Sequence, residues 1–571
     1  MECKRGLVLS GKTFAKILLV CLVLVLFAIP ANAETFDTTA DITVTGGTLS
    51  GFLGLGTSVL GDFNGDGYDD LAVSAYGERK VYIYYKGPSH TDNTVDVTLS
   101  APRAGTYYAY EGILVGDFNG NGYDDLFVDH QDAEAGGETD SGYGYVYYGG
   151  ASMDSTEDVN FHPITTTNGY FGYVGAAGDV NNDGYTDLAV SDYVGTVHLF
   201  YGASGGIDAT ADKTFSVVSG QDIKMTIGDV NDDGFGDLIL GEWKFDTNNG
   251  RVRVFYGATG TNMDTTADVT ISGSSSANFG IGVSASGDVD ADGAVDLLVG
   301  EYAYNGNRGR VFLYRGGTSW DTTADATYAG EGSANDYFGS HVQIIKDVND
   351  DGYDDVVAGE QGYSAGGNTG RVYLFYGGSS FDTTVDVTFT GENAGDKFYA
   401  ITKITGDENT DGCGDLIISA HLFNGVYTDT GKVYFYRSAC GCPGGKYLSG
   451  VYCIDAGAGY YSPDDDNSRY QCPAGRYGST TTLSTSACTG ACDAGRYGNA
   501  TGQTASTCVG QCSAGYYCPA GSIQATNSTC GGNNYYCPAS SGSATTVSSG
   551  YYSRKVWLNN RSYNISMHRS L

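Results

Sequence analysis

From residue 37 to residue 437 the chain alternates short apolar runs with turns rich in glycine and aspartate. Runs such as Leu71-Ala72-Val73-Ser74 and Leu297-Leu298-Val299-Gly300 carry strand character and no helical periodicity. A second strand of the type G-R-V-x-x-x-Y-G follows at 250–257, 309–316 and 370–377. The unit D-T-T-A-D-V-T, or a close variant, then begins at Asp92, Asp154, Asp208, Asp264, Asp321 and Asp382. A Phe-Gly pair stands ahead of the repeat at Phe171-Gly172, Phe279-Gly280 and Phe338-Gly339. Four short strands repeated seven times predict an all-β chain whose residues 34–438 form a seven-bladed β-propeller, each blade packing only on its neighbours.

Between the first and second strands of every repeat lies a nine-residue loop with oxygen-bearing side chains at positions 1, 3, 5 and 9 and glycine at 6. With the position-seven carbonyl it supplies five or six hard oxygen donors, which suits Ca2+. The predicted ligands are Asp62, Asn64, Asp66, Tyr68 and Asp70 in the first loop, and Asp117, Asn119, Asn121, Tyr123 and Asp125 in the second. They are Asp179, Asn181, Asp183, Tyr185 and Asp187 in the third, and Asp229, Asn231, Asp233, Phe235 and Asp237 in the fourth. The fifth offers Asp288, Asp290, Asp292, Ala294 and Asp296, the sixth Asp347, Asn349, Asp351, Tyr353 and Asp355, and the seventh Asp407, Asn409, Asp411, Cys413 and Asp415. Up to seven calcium ions are therefore expected. An EF-hand is excluded: it needs a bidentate Glu at position 12, where the first loop has Val73, and it runs into a helix.

The D-T-T-A-D unit is offset against the other parts. Its first copy, Asp37 to Asp41, precedes the first loop, and none follows the seventh third strand. Residues 41–46 should therefore complete the blade built from residues near 398–436, closing the ring by strand pairing. Aligning the residues after each second strand gives Ala75-Tyr76, His130-Gln131, Asp192-Tyr193, Glu242-Trp243, Glu301-Tyr302, Glu360-Gln361 and Ala420-His421. An acid beside an aromatic suits a sugar or a cation, so Asp192, Tyr193, Glu242, Trp243, Glu301, Tyr302 and Glu360 are candidate ligand contacts. The alternative is that the acids cap turns and the rings pack between blades.

Residues 1–33 carry Lys4, Arg5, Lys12 and Lys16, an apolar run from Ile17 to Ile29, and Ala31-Asn32-Ala33, the pattern of a cleaved secretory signal. The run is too short to span a bilayer, and the mature chain, expected to begin near Glu34, has no other candidate for a transmembrane helix. With 30 basic against 67 acidic residues and a net charge of −37, nucleic acid is disfavoured as a partner. The seven histidines form no H-E-x-x-H, and no nucleophile elbow or phosphate loop occurs, so the chain is not expected to be an enzyme.

Eleven of the 14 cysteines fall between Cys440 and Cys537, with gaps alternating between 16 and 4 from Cys472 to Cys512. In an exported chain this predicts a disulfide ladder over residues 439–540. Eleven is odd, and Cys413, inside the seventh loop, is expected to be buried and poorly placed to serve as partner; a disulfide to another chain is one resolution. Residues 541–571 are expected to be a disordered or truncated tail. Asn499, Asn527, Asn560 and Asn564 head N-x-S/T triplets.

The Phe-Gly pair, the D-x-N-x-D-G-x-x-D loop and the strand after it resemble the FG-GAP repeats of integrin α-subunit propellers. The resemblance covers roughly residues 37–437. It implies that the calcium loops lie away from the ligand-binding face and that the chain acts in extracellular adhesion. Departures from the pattern are Gly-Glu in place of G-A-P in blades four to six, Asn121 in the second loop, and Lys224-Met225 where Phe-Gly is expected. The cysteine spacing resembles ephrin-receptor and tumour-necrosis-factor-receptor ectodomains. The expected function is a secreted or cell-surface calcium-binding adhesion or recognition protein that presents a propeller face to a protein or glycan. A glycan lyase or hydrolase built on the propeller, or a structural surface-layer component, are the alternatives.

Overall fold

A computed structural model describes residues 38–548, apart from 88–93, 135–138, 163–166, 219–222, 275, 319, 331–333, 364–366, 402–405, 439, 450–451, 464–466 and 533, together with the backbone of two strands at 551–558 and 561–568. The expected signal segment lies outside the described residues.

Seven four-stranded antiparallel sheets form the propeller. Six are consecutive in sequence: blade one spans residues 53–100, two 108–161, three 175–216, four 224–272, five 279–328 and six 338–390. The seventh takes three strands from residues 398–436 and its outermost strand, Ile42–Thr45, from the other end of the propeller. Val44 pairs with Val433 and Thr45 with Lys432, so the expected closure by strand pairing is what the fold contains.

Second strands such as Asp70–Ala75, Asp187–Ser191 and Asp237–Gly241 are buried at every residue, because neighbouring blades cover both of their faces. Their sequences are therefore continuous apolar runs. Fourth strands lie at the rim and alternate; in Val269–Ser272 only Ile271 is buried.

The Phe-Gly pairs join blades. Phe171, Phe279 and Phe338 are buried, and each forms a parallel bridge to the glycine that opens the preceding blade's third strand, at Gly142, Gly250 and Gly309. At Gly309, φ is +81° and a Cβ would stand 1.9 Å from the Phe338 carbonyl oxygen, so only glycine fits. Leu53 and Gly431 make the same bridge across the closing joint. Blade four lacks the phenylalanine, and buried Met225 packs there beside Val174 and Leu240, its flexible thioether filling the space.

The second aspartate of each D-T-T-A-D unit has one recurring task. Asp96, Asp158, Asp212, Asp268, Asp325 and Asp386 each accept a backbone N–H from the end of the third strand, at Tyr85, Tyr148, Tyr201, Tyr256, Arg315 and Tyr376. Asp41 does the same for Arg437 across the closure.

After the propeller come two-stranded hairpins tied by disulfides, Cys442–Cys453, Cys472–Cys488, Cys492–Cys508, Cys512–Cys518 and Cys530–Cys537. In the last stretch Tyr551–Leu558 and Arg561–His568 pair as an antiparallel hairpin. Among the described residues no helix is long and apolar enough to cross a membrane.

Candidate functional site

Each nine-residue loop joins the first and second strands of its blade and folds inward on its own carboxylates. In the fourth, Asp229 accepts the N–H of Asp233 (3.1 Å) and of Gly234 (2.7 Å), Asn231 Oδ1 accepts the Asp233 N–H (2.9 Å), and Asp233 accepts the Phe235 N–H (3.1 Å). Asp237 closes the loop by accepting the Val230 N–H (3.1 Å) and the Gly257 N–H (3.0 Å). The same contacts recur in the first loop (Asp62, Asn64, Asp66, Asp70), the third (Asp179, Asn181, Asp183, Asp187) and the sixth (Asp347, Asn349, Asp351, Asp355). In the second loop Asn121 keeps the fold, its N–H donating to Asp117 and its side-chain amide to the Gly149 carbonyl. In the fifth, oxygens of Asp288, Asp290 and Asp296 lie within 4.8 Å of one another, and Arg315 pairs with Asp290.

In the fifth loop three carboxylate oxygens converge, a donor set that fits calcium, and a ligand carbonyl at position seven would explain why Tyr68, Tyr123, Tyr185, Phe235, Ala294, Tyr353 and Cys413 can all stand there. Burial pushes the position-nine carboxyls up, against the pull of their backbone N–H donors. Asp125, Asp187, Asp237 and Asp296 reach about 7, Asp70 and Asp355 about 8, and Asp415 rises well above the ordinary value. Unfolded aspartates titrate near 3.8, so between there and pH 7 to 8 the metal-free fold binds more protons than the unfolded chain. Its stability should fall as pH rises through that window, and calcium should reverse the loss. The calcium-induced rise in Tm is therefore expected to grow from pH 5 to pH 8 in a buffered melting series; a rise independent of pH would contradict this.

The loops are linked around the ring. Asp124 N–H donates to the Asp62 carbonyl, Thr186 N–H to Asp117, Gly236 N–H to Asp179, Asp354 N–H to Asp288 and Gly414 N–H to Asp347. Across the closure, Asp69 accepts the Asp407 N–H (3.0 Å).

The seventh loop differs from the rest. Position five is exposed in the other six loops, but Asp411 is buried, as are Asn409 and Glu408. The first hairpin of the Cys-rich module covers them. Cys453 N–H donates to the Asn409 carbonyl (2.9 Å), Thr410 Oγ1 to the Cys453 carbonyl (2.9 Å), and the Tyr452 hydroxyl to Glu408 (3.0 Å), which Arg437 also grips through Nε and Nη2. Cys413 and Cys440 form a disulfide. Cys413 is buried as expected, but it is well placed to pair, because the module folds back onto the loop and brings Cys440 to a Cα separation of 6.1 Å. Cys413 and all eleven module cysteines are thus paired within the chain, which removes the reason for a disulfide to another chain. A terbium ion loaded into this covered loop should exchange at least tenfold more slowly than the others, and Tyr452→Ala should abolish the slow phase; a single exchange rate would contradict the arrangement.

On the opposite face the aligned pairs divide. Glu242 is buried between Arg251 and Arg253, Glu301 is buried against Arg310, and buried Glu360 accepts the Tyr373 hydroxyl (2.8 Å). Asp192 is buried too, accepting the N–H groups of Gly195 and Thr196 and pairing with His198. As ligand contacts these four acids are corrected: they hold the turn after the second strand to the third strand. The residues after three of these acids, Trp243, Tyr302 and Gln361, line a central cavity of about 520 Å3, together with His421 after Ala420 and with Tyr110, Tyr173 and Tyr399 at or just ahead of first strands. Tyr193, partly exposed, stands beside Tyr173 with ring centroids 5.5 Å apart.

Loop, strand order and Phe-Gly bridges together define a seven-bladed propeller, and FG-GAP repeats are recognised within it. The family model of the FG-GAP-like repeat matches residues 62–128, and that of the FG-GAP repeat matches 171–200 and 338–375. The chain is similar to integrin alpha-5 of Xenopus laevis, 28% identical over 174 residues, and to integrin alpha-8 of Mus musculus, 27% identical over 180 residues. These stretches are 28% and 29% of this chain but only 16% and 17% of the relatives.

Proposed function

We propose that the chain is an extracellular or cell-surface recognition protein, stiffened by calcium in its loops, that presents the opposite face of the propeller to a protein or glycan ligand. The observation that carries this reading is the separation of the two faces: loops of calcium-binding type and the docked Cys-rich module on one, an aromatic-lined cavity on the other. Similarity to integrin α chains over the FG-GAP repeats supports an adhesive role, and six disulfides suit an oxidising compartment outside the cell. On this reading the chain acts by binding rather than turnover.

The test is retention on arrays of glycans and matrix proteins in calcium. Retention without consumption is expected; consumption of a polymer would favour a lyase or hydrolase, and neither outcome would favour a structural spacer.

A further inference from the structure

We infer that the central cavity is a carbohydrate site which takes a sugar ring of a neutral or uronate glycan. The inference rests on the recognition reading above and names the ligand class of the same face.

The cavity is open at the face where first strands begin and second strands end, and its volume of about 520 Å3 lies in the range of small-ligand pockets. Its wall is aromatic around much of the ring: Tyr110, Tyr173, Trp243, Tyr302 and Tyr399 come from five different blades. Trp243 and Tyr302 meet edge to face at 6.5 Å, and Tyr302 leans on Tyr337 at 5.5 Å, so the rings are held as fixed plates. Such plates offer flat faces to the C–H side of a pyranose.

Aromatic plates alone would also attract a cation, and charge decides between the two. The chain has 67 acidic residues, yet none lines the cavity among the described residues. Glu242 and Glu301, which precede the cavity-lining Trp243 and Tyr302, are instead paired with Arg251, Arg253 and Arg310. Among the described residues a cation entering here would meet no carboxylate on the wall, whereas a neutral or anionic ring needs none.

Polar atoms complete the argument. His421 is nine-tenths buried on the cavity wall and its Nδ1 has no hydrogen-bond partner; the indole N–H of Trp243 is buried and likewise unpartnered. A buried polar atom left unpaired costs about 1–3 kcal/mol. Both atoms are closed off in this structure, so a sugar hydroxyl, which donates and accepts at once, reaches either one only after its side chain turns toward the cavity. Burial lowers the His421 pKa to about 4, so the imidazole stays neutral and available for such a bond at physiological pH.

The experiment uses the full chain in calcium on an array of neutral and uronate oligosaccharides, followed by calorimetric titration of the best-retained member, with arginine amide as a cation control. A sugar is expected to be retained, and Trp243→Ala and Tyr302→Ala are each expected to weaken it at least tenfold, with calcium-dependent melting unchanged. Trp243→Phe, which keeps a plate but removes the N–H, should give an intermediate loss and guards against a misfolded alanine variant. An empty array overturns the inference, as does sugar binding undiminished in the Trp243→Ala/Tyr302→Ala double variant or binding of arginine amide alone. Retention of matrix proteins with an empty array would leave the recognition reading standing; retention of neither would remove both.

Discussion

Chelation should lower the Tm of the chain by roughly 10 °C or more, and added calcium should restore it. Each ion at 100 times its dissociation constant adds about 2.7 kcal/mol, so four filled loops already exceed about 10 kcal/mol. The effect should be cooperative around the ring. The first to fourth loops and the fifth to seventh are hydrogen-bonded in series through position-one carbonyls, the Gly317 N–H donates to the Val230 carbonyl between the fourth and fifth blades, and the Asp69 to Asp407 contact carries the series across the closure. Without a cation, three like charges gather in most loops, as Asp229, Asp233 and Asp237 do, and the buried ninth residue must be protonated or leave its site. Melting followed by circular dichroism in calcium and in chelator reads this directly. Indifference to chelator would mean that the backbone bonds alone hold the loops.

The second large effect is expected from removing residues 34–46. Their strand, Ile42–Thr45, supplies the outer edge of blade seven, buries Val44, and positions Asp41 to accept the Arg437 N–H. Losing one buried valine and about four strand bonds should cost on the order of 5 kcal/mol, and it also bares the edge at Lys432–Tyr436. Bared edges template pairing with other chains. The truncated protein is expected to melt lower and to aggregate through blade seven in light scattering. Val44→Asp, which spoils the pairing without shortening the chain, should reproduce the loss of stability. Normal melting of both variants would show that the ring closes without this strand.

What could be read from the sequence was local or countable. The acidic loops are nine-residue units with fixed spacing, and the second strands are apolar throughout because both faces are covered. Ring closure followed from the offset of the D-T-T-A-D unit, since every sheet needs the same four parts. The disulfide between Cys413 and Cys440 was not legible, because it depends on how the module folds back over the seventh loop. No pattern near Cys413 announces Tyr452 or Cys453 as neighbours. The role of the acids after the second strands lay closer to hand. Gly241 pairs with Val252 and Glu360 with Arg371, so the hairpin register sets each arginine of G-R-V beside the acid of its own blade. Counting that register would have assigned Glu242, Glu301 and Glu360 to internal pairing and left Trp243, Tyr302 and Gln361 for the cavity.

The central claim is that the seven loops are calcium sites on which the propeller depends. Its most direct measurement is the calcium bound per full-length chain at equilibrium, by dialysis against millimolar calcium and elemental analysis. The account predicts six or seven ions per chain, with about one lost for each position-one Asp→Ala substitution, such as Asp229→Ala. A protein that binds none, or whose count is unchanged by those substitutions, would contradict it.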